Sequence, residues 1–250
     1  MWRYMSASVI GTAHQSNHTD CQDSHIIEQV TSSTGNYLLA IVADGAGSAV
    51  QGGQGAALAC HGVASCLKQQ LAANKPLNQA LIAHALLLAR TAIQQQAAAN
   101  QLAMRDYATT VSGIVIAEQN ALSFQIGDGA IIASINGYQG LIFEPDNGLY
   151  ANMTYFLTDE DYASHLMIQA VGACIEEVML FSDGLQRLAL NLDAKTPFGP
   201  FFEPMLKALR QSNSPQNPML NEHLAQFLAS DLVNKRTDDD KTLVLATRKP

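Results

Sequence analysis

The residues of this chain most able to do chemistry are carboxylates at the ends of apolar runs. Three runs stop at Asp-Gly: Leu38 to Asp44, Leu122 to Asp128, and Val178 to Asp183. A fourth acidic cluster, Asp238, Asp239 and Asp240, precedes another apolar run. An Asp that closes a buried strand, with a Gly to turn the chain, sets a carboxylate at the rim of a sheet. Several such rims together make a pocket of oxygen ligands, which hard divalent cations bind. The pattern points to a metal site and a hydrolase.

The four segments are not equivalent. Asp-Gly is a common turn pair, and the alternation around Asp128 suits a tight hairpin, so Asp128 is assigned to a turn. Asp44 leads into the Gly-rich run Gly45 to Gly55, whose backbone can approach a ligand closely. Asp183 leads into a helix-like segment. Three adjacent aspartates repel one another unless water or a cation screens them. The histidines lack zinc-site spacing. His14, His18 and His25 flank Asp23 and are candidates for the neighbourhood of the site, while His84 reads as a core residue. The Gly-rich run is neither a Walker A loop nor a dinucleotide fingerprint.

The elements that must position these residues follow from periodicity. Strands are predicted at Ser6–Gly11, Ile26–Val30, Tyr37–Asp44, Thr109–Ala117, Ala121–Gly127, Ala130–Ile135, Leu141–Phe143, Glu177–Asp183 and Thr242–Thr247. Long helices are predicted from Gln54 to Leu71 and from Pro76 to Arg105, with a further helical region after Leu185 and a last helix at Met219–Asp231. The polar stretch Pro145–Ser164 reads as a surface excursion. Closely spaced strands imply antiparallel pairing, because parallel neighbours need long crossovers. Strands in runs and helices in blocks indicate α+β. Two packed antiparallel sheets with helix pairs outside, a four-layer αββα sandwich, would explain strands that are apolar on both faces.

Composition narrows the partners. Of 250 residues, 48% are hydrophobic and 14% charged, and the formal net charge is −8. That supports a large core and, with no Lys/Arg run, excludes a nucleic-acid backbone as partner. Four cysteines without a Cys-x-x-Cys pair support neither structural zinc nor a disulfide scaffold, so a cytoplasmic protein is expected. No apolar stretch reaches the length of a membrane span. A monomer without membrane or nucleic-acid contacts is expected.

The order of the motifs resembles the metal-dependent serine/threonine protein phosphatases of the PPM family, also called type 2C. Gln22-Asp23 is similar to the family's first acidic motif, and Asp44-Gly45-Ala46-Gly47 to its Asp-Gly-x-Gly motif. Ala108 to Gly113 resembles its Thr-Thr strand, and Gly127-Asp128-Gly129 its Gly-Asp-Ser turn. Ser182-Asp183-Gly184 resembles its Ser-Asp-Gly motif, and Asp239 to Thr242 its terminal Asp-Asn-x-Thr motif. The match runs along nearly the whole length, one domain over 1–250, and is nearest a compact bacterial branch.

The resemblance implies hydrolysis of phosphoserine and phosphothreonine in proteins by a hydroxide bridging two Mn²⁺ or Mg²⁺ ions. Asp44 and the Gly45 carbonyl, Asp183, Asp239 and Asp23 would be the ligands, with Asp44 and Asp183 central to catalysis. A third, weaker ion is implied near Asp106. Three departures stand out. Gln22 replaces the family's Glu, the phosphate-binding Arg falls at His18, and the proposed proton-donating His falls at Ala46. His18 is therefore the candidate phosphate-binding and catalytic residue, with His14 as alternative proton donor and Arg187 as a substitute phosphate ligand. The competing reading is a non-catalytic relative that binds a phosphoprotein on the same scaffold.

Overall fold

Strand alternation divides the apolar residues among three layers of core. The computed structural model describes residues 1–33, 35–143 and 154–249. In chain order the elements are β1 (Arg3–Val9), α1 (Thr12–Ser16), β2 (Asp23–Ser32), β3 (Gly35–Asp44), α2 (Gly52–Ala72) and α3 (Gln79–Ala99). Then come β4 (Val111–Ile116), β5 (Ala121–Ile126), β6 (Ala130–Ile135), β7 (Tyr138–Leu141), β8 (Met167–Val171) and β9 (Glu177–Phe181). The last part holds α4 (Gln186–Ala189), the small ribbon β10 (Leu190–Asn191) and β11 (Thr196–Pro197), α5 (Gly199–Arg210), α6 (Pro218–Leu228), α7 (Asp231–Asn234) and β12 (Lys241–Thr247).

Two five-stranded sheets form, ordered β1-β12-β9-β6-β7 and β2-β3-β4-β5-β8, with every pairing antiparallel. Successive strand side chains point to opposite faces. In β3, Leu38, Ala40 and Val42 face the core between the sheets, while Leu39, Ile41 and Ala43 face α2 and α3. In β9, Val178 and Leu180 join the inter-sheet core, while Met179 and Phe181 meet Phe202 and Leu206 of α5. The result is the four-layer αββα arrangement, with α2 and α3 outside one sheet and α5 and α6 outside the other.

Several boundaries differ from the sequence reading. The helix expected from Pro76 begins at Gln79, because Asn78 caps it by accepting from the Leu81 N–H at 2.9 Å. The polar loop before Asp23 contains the short helix α1. Strand β8 follows the predicted excursion, whose residues 145–153 lie outside the described residues. The larger difference is at Asp128. β5 and β6 do not pair as a hairpin: they belong to different sheets. Gly127, at φ +103°, carries the chain from one sheet to the other. Asp128 therefore sits where both sheets present their ends.

Candidate metal centre

Asp23 opens β2, Asp44 closes β3, and the antiparallel register sets them directly opposite each other. Side chains of such a pair lie on one face of the sheet, so the two carboxylates are forced together. The facing sheet supplies Asp183, two residues beyond the end of β9, and Asp239, two residues before β12. Phe181 of β9 pairs with Leu243 of β12, which keeps their acidic ends adjacent.

Backbone contacts hold Asp44 in place. Its carbonyl accepts from Thr110 N at 2.8 Å and from Thr109 Oγ1 at 3.0 Å, and its own N–H donates to Thr110 Oγ1 at 3.0 Å. This gives the Thr-Thr pair a physical role. Ala46 N and Thr110 N make the bonds that join Gly45 to Thr109, leaving the Gly45 carbonyl outside the ladder. A β-carbon on Gly45 would overlap the Gly52 backbone, and one on Gly184 would overlap the Asp240 carbonyl. Only Gly fits at these two closures.

Two adjoining cavities open at this end of the sheets. One, about 610 Å³, is lined by Asp128, Asp183, Asp239, Arg187 and Arg236, among others. The other, about 340 Å³, is lined by Asp44, Gly45, Gly47, Asp128, Asp183 and Asp239, among others. Burial pushes the Asp44 carboxyl well above the usual carboxylate range, and the charges of Asp23 and Asp183 push it further. Burial raises Asp23 as well, against the lowering effect of hydrogen bonds from Ser182 and Thr242. Asp128 is pushed up to about 7, by burial and then by the Asp183 charge. Asp239 is raised by the same two causes. A bound cation would reverse each of these costs.

The donor set fits a divalent ion. Asp23 Oδ2 accepts from Ser182 Oγ at 2.7 Å, but Asp23 Oδ1 and Asp183 Oδ1 are buried with no hydrogen-bond partner. A buried carboxylate oxygen without a donor is costly, and a cation, or a water bound to one, satisfies it. No group of three His, Cys, Asp or Glu side chains among the described residues is arranged to hold an ion unaided.

The raised carboxyls make a stability prediction. A carboxyl raised in the folded state adds stability below its unfolded value and loses it as pH climbs through its folded value. His25, which burial lowers from 6.5, works the other way, mostly below about pH 6.5. Between about pH 6.5 and 8 the metal-free protein therefore loses several degrees of Tm, at about 2–4 °C per kcal/mol. Mn²⁺ restores most of the loss at the upper end. Thermal melts in chelator at stepped pH check this, and a flat or rising Tm across the window contradicts it.

The structure brings together Asp23, Asp44, Gly45, Asp183 and Asp239, with Arg187 on the cleft wall. His18 is not brought to the cleft: it is exposed, at φ +57°, in the turn after α1. Helix α1 sets the two histidines in different directions. His14 is the inward one. Its Nδ1 lies 2.9 Å from Asp240 Oδ1, and its Nε2 is 3.7 Å from where a β-carbon on Gly47 would stand. Asp106 lines neither cavity: its Oδ2 accepts from Ala103 N at 2.8 Å and caps a short turn. Asp128, read from the sequence as a turn, faces Asp183 instead. Gln22 Oε1 accepts from Gly53 N at 2.6 Å at the start of α2. The charge missing at Gln22 stands at Asp240, where the motif expects Asn. Asp240 accepts from Gly11 N at 2.6 Å and from Gln22 N at 2.5 Å.

Comparison with known proteins agrees with this architecture. The sequence profile of the family described as Protein phosphatase 2C matches residues 10–229. Serine/threonine-protein phosphatase 3 of Escherichia coli (strain K12) is 40% identical over 247 residues, covering 98% of each chain. The catalytic domain of the serine/threonine protein phosphatase PstP, crystallised with two manganese ions, superposes with a TM-score of 0.63 at 21% identity, over 98% of this chain and 97% of that one. The serine/threonine phosphatase Stp1 from Staphylococcus aureus gives 0.60 at 17% identity, over 100% and 96%. At those identities the structures speak for the fold, and the profile and the E. coli relative speak for descent: the chain belongs to the protein phosphatase 2C family.

Proposed function

We propose that this chain is a Mn²⁺- or Mg²⁺-dependent phosphatase acting on phosphoserine and phosphothreonine in proteins, as one domain over 1–250. We take it to be a cytoplasmic monomer. The observation that carries the reading is the pair of partnerless buried oxygens, Asp23 Oδ1 and Asp183 Oδ1, beside the raised carboxyl of Asp44. The name of the E. coli relative and the two manganese ions in PstP support it. The retained acids speak against the non-catalytic alternative.

Asp44 and the Gly45 carbonyl, Asp183 and Asp239 would hold the two ions, with Asp23 acting through water. Asp128 and Asp183 would hold the third, weaker one, in place of Asp106. Two such ions would supply charge for the phosphoryl oxygens and acidify a bound water. The protein's own part is to fix these carboxylates, through the Thr109 and Thr110 contacts to Asp44, and to shape the cleft. Arg187, which lines the cleft, would hold the phosphoryl group, since a guanidinium presents a fork that matches its oxygens.

His14, held against Asp240, takes the place given to His18 as the ring donor at the cleft edge. Replacing His14 by Ala lowers kcat/KM on a phosphothreonine peptide by roughly a hundredfold, as loss of a positioned donor does. His18→Ala leaves the rate unchanged. The reverse ranking would return the role to His18. The direct test of the function is Mn²⁺-dependent release of inorganic phosphate from that peptide.

A further inference from the structure

Resting on that phosphatase reading, we infer that an apolar groove beside the cleft docks the polypeptide flanking the substrate's phosphorylated residue, taking one aromatic or long aliphatic side chain from it. The groove, about 410 Å³, is lined chiefly by Leu188, Phe198, Phe201, Met205, Phe227 and Leu232. That volume and lining are those of a ligand site. Phe198 is 41% exposed and Leu232 70% exposed. Large apolar side chains grouped at a concave surface mark an interaction site more often than scattered ones do.

Two observations commit the groove to the substrate. The first is continuity. Arg236 is a wall of both the groove and the acidic cleft. Arg187 lines the cleft, and the next residue, Leu188, lines the groove. A chain with its phosphorylated residue in the cleft therefore passes into the groove across a ridge formed by these two arginines. The second is charge. Arg187 and Arg236 are exposed, and neither makes an ion pair or side-chain hydrogen bond among the described residues. Among the described residues they are the cations that line the cleft, where Asp128, Asp183, Asp238 and Asp239 stand against them. Carbonyls or an acidic side chain of the crossing segment pair with them. The inferred recognition is an apolar anchor a few residues from the phosphorylated one, with an acidic residue tolerated between.

The test uses the Mn²⁺-loaded protein and two variants, Leu232→Glu and Phe198→Ala, at exposed positions outside the metal centre. The probes are p-nitrophenyl phosphate and phosphothreonine peptides in a Gly-Ser background. Each peptide carries a single Phe at one position on either side of the phosphorylated residue. For wild type, one placement of Phe lowers KM about tenfold, the scale of a buried apolar side chain. Both variants erase that preference and leave p-nitrophenyl phosphate turnover unchanged. No positional preference in wild type, or equal losses on both probes, overturns the inference. A wild-type dimer by light scattering that Leu232→Glu dissociates also overturns it, by making the groove an interface between copies. If wild type hydrolyses neither probe, the phosphatase reading itself falls, a result distinct from loss of the preference alone.

Discussion

Asp44→Asn and Asp183→Asn each lower kcat/KM on a phosphothreonine peptide by at least about a thousandfold, the scale seen when a main electrostatic contact of a reaction is removed. The substitution keeps shape and removes charge. In the metal-free fold that charge is a liability: burial and the neighbouring acids already push the Asp44 carboxyl upward. The Asn variant of Asp44 therefore melts higher than wild type in chelator, while losing turnover. Opposite signs for stability and activity mark a site whose strain serves function. Activity assays paired with melts of the metal-free proteins check it. Rates near wild type in both variants would make these Asp-Gly ends structural turns.

Chelation is the second large effect. EDTA abolishes turnover on both the peptide and p-nitrophenyl phosphate, and Mn²⁺ in excess restores it. The fold survives, because its three core layers are built from strand and helix faces and none depends on the acidic end. Metal that binds only the folded state adds about 2.7 kcal/mol at a hundredfold excess over Kd. In a chain of this length that raises Tm by roughly 5–10 °C. A titration that follows both rate and Tm should show them rising together. Robust turnover after complete metal removal would sink the account, whatever the melts show.

Much of this was legible because each signal was local. Asp44 and Asp183 stand where a strand stops and a Gly follows, and both periodicity and turn chemistry mark that point. The two-sheet architecture was legible because strands such as Leu38–Asp44 are apolar on both faces, which only a strand between two layers requires. Asp128 was misassigned because Asp-Gly suits a hairpin and a sheet-to-sheet crossing equally well. The pairing partner that decides between them is distant in sequence. The place of Gly127 at φ +103° is compatible with either.

The histidines are a different case. His14 and His18 sit in one polar loop by composition, and nothing in that loop announces α1, whose start carries no side-chain cap. The helix turns His14 toward Asp240 and leaves His18 in solvent. Asp106 was drawn to the metals by its place in a motif, whereas its carboxylate closes a local turn with Ala103. The groove between α5 and α7 left no sequence signal, since Phe198 and Leu232 look like ordinary apolar helix residues until the helices are packed.

The most direct measurement is anomalous diffraction from crystals soaked in Mn²⁺. The account predicts two strong peaks within the acidic cleft. One is shared by Asp44 with the Gly45 carbonyl, the other is held by Asp183 and Asp239, and the Asp23 carboxylate sits behind them through water. A cleft that stays free of anomalous density at saturating Mn²⁺, or ions bound only away from Asp44 and Asp183, would contradict it.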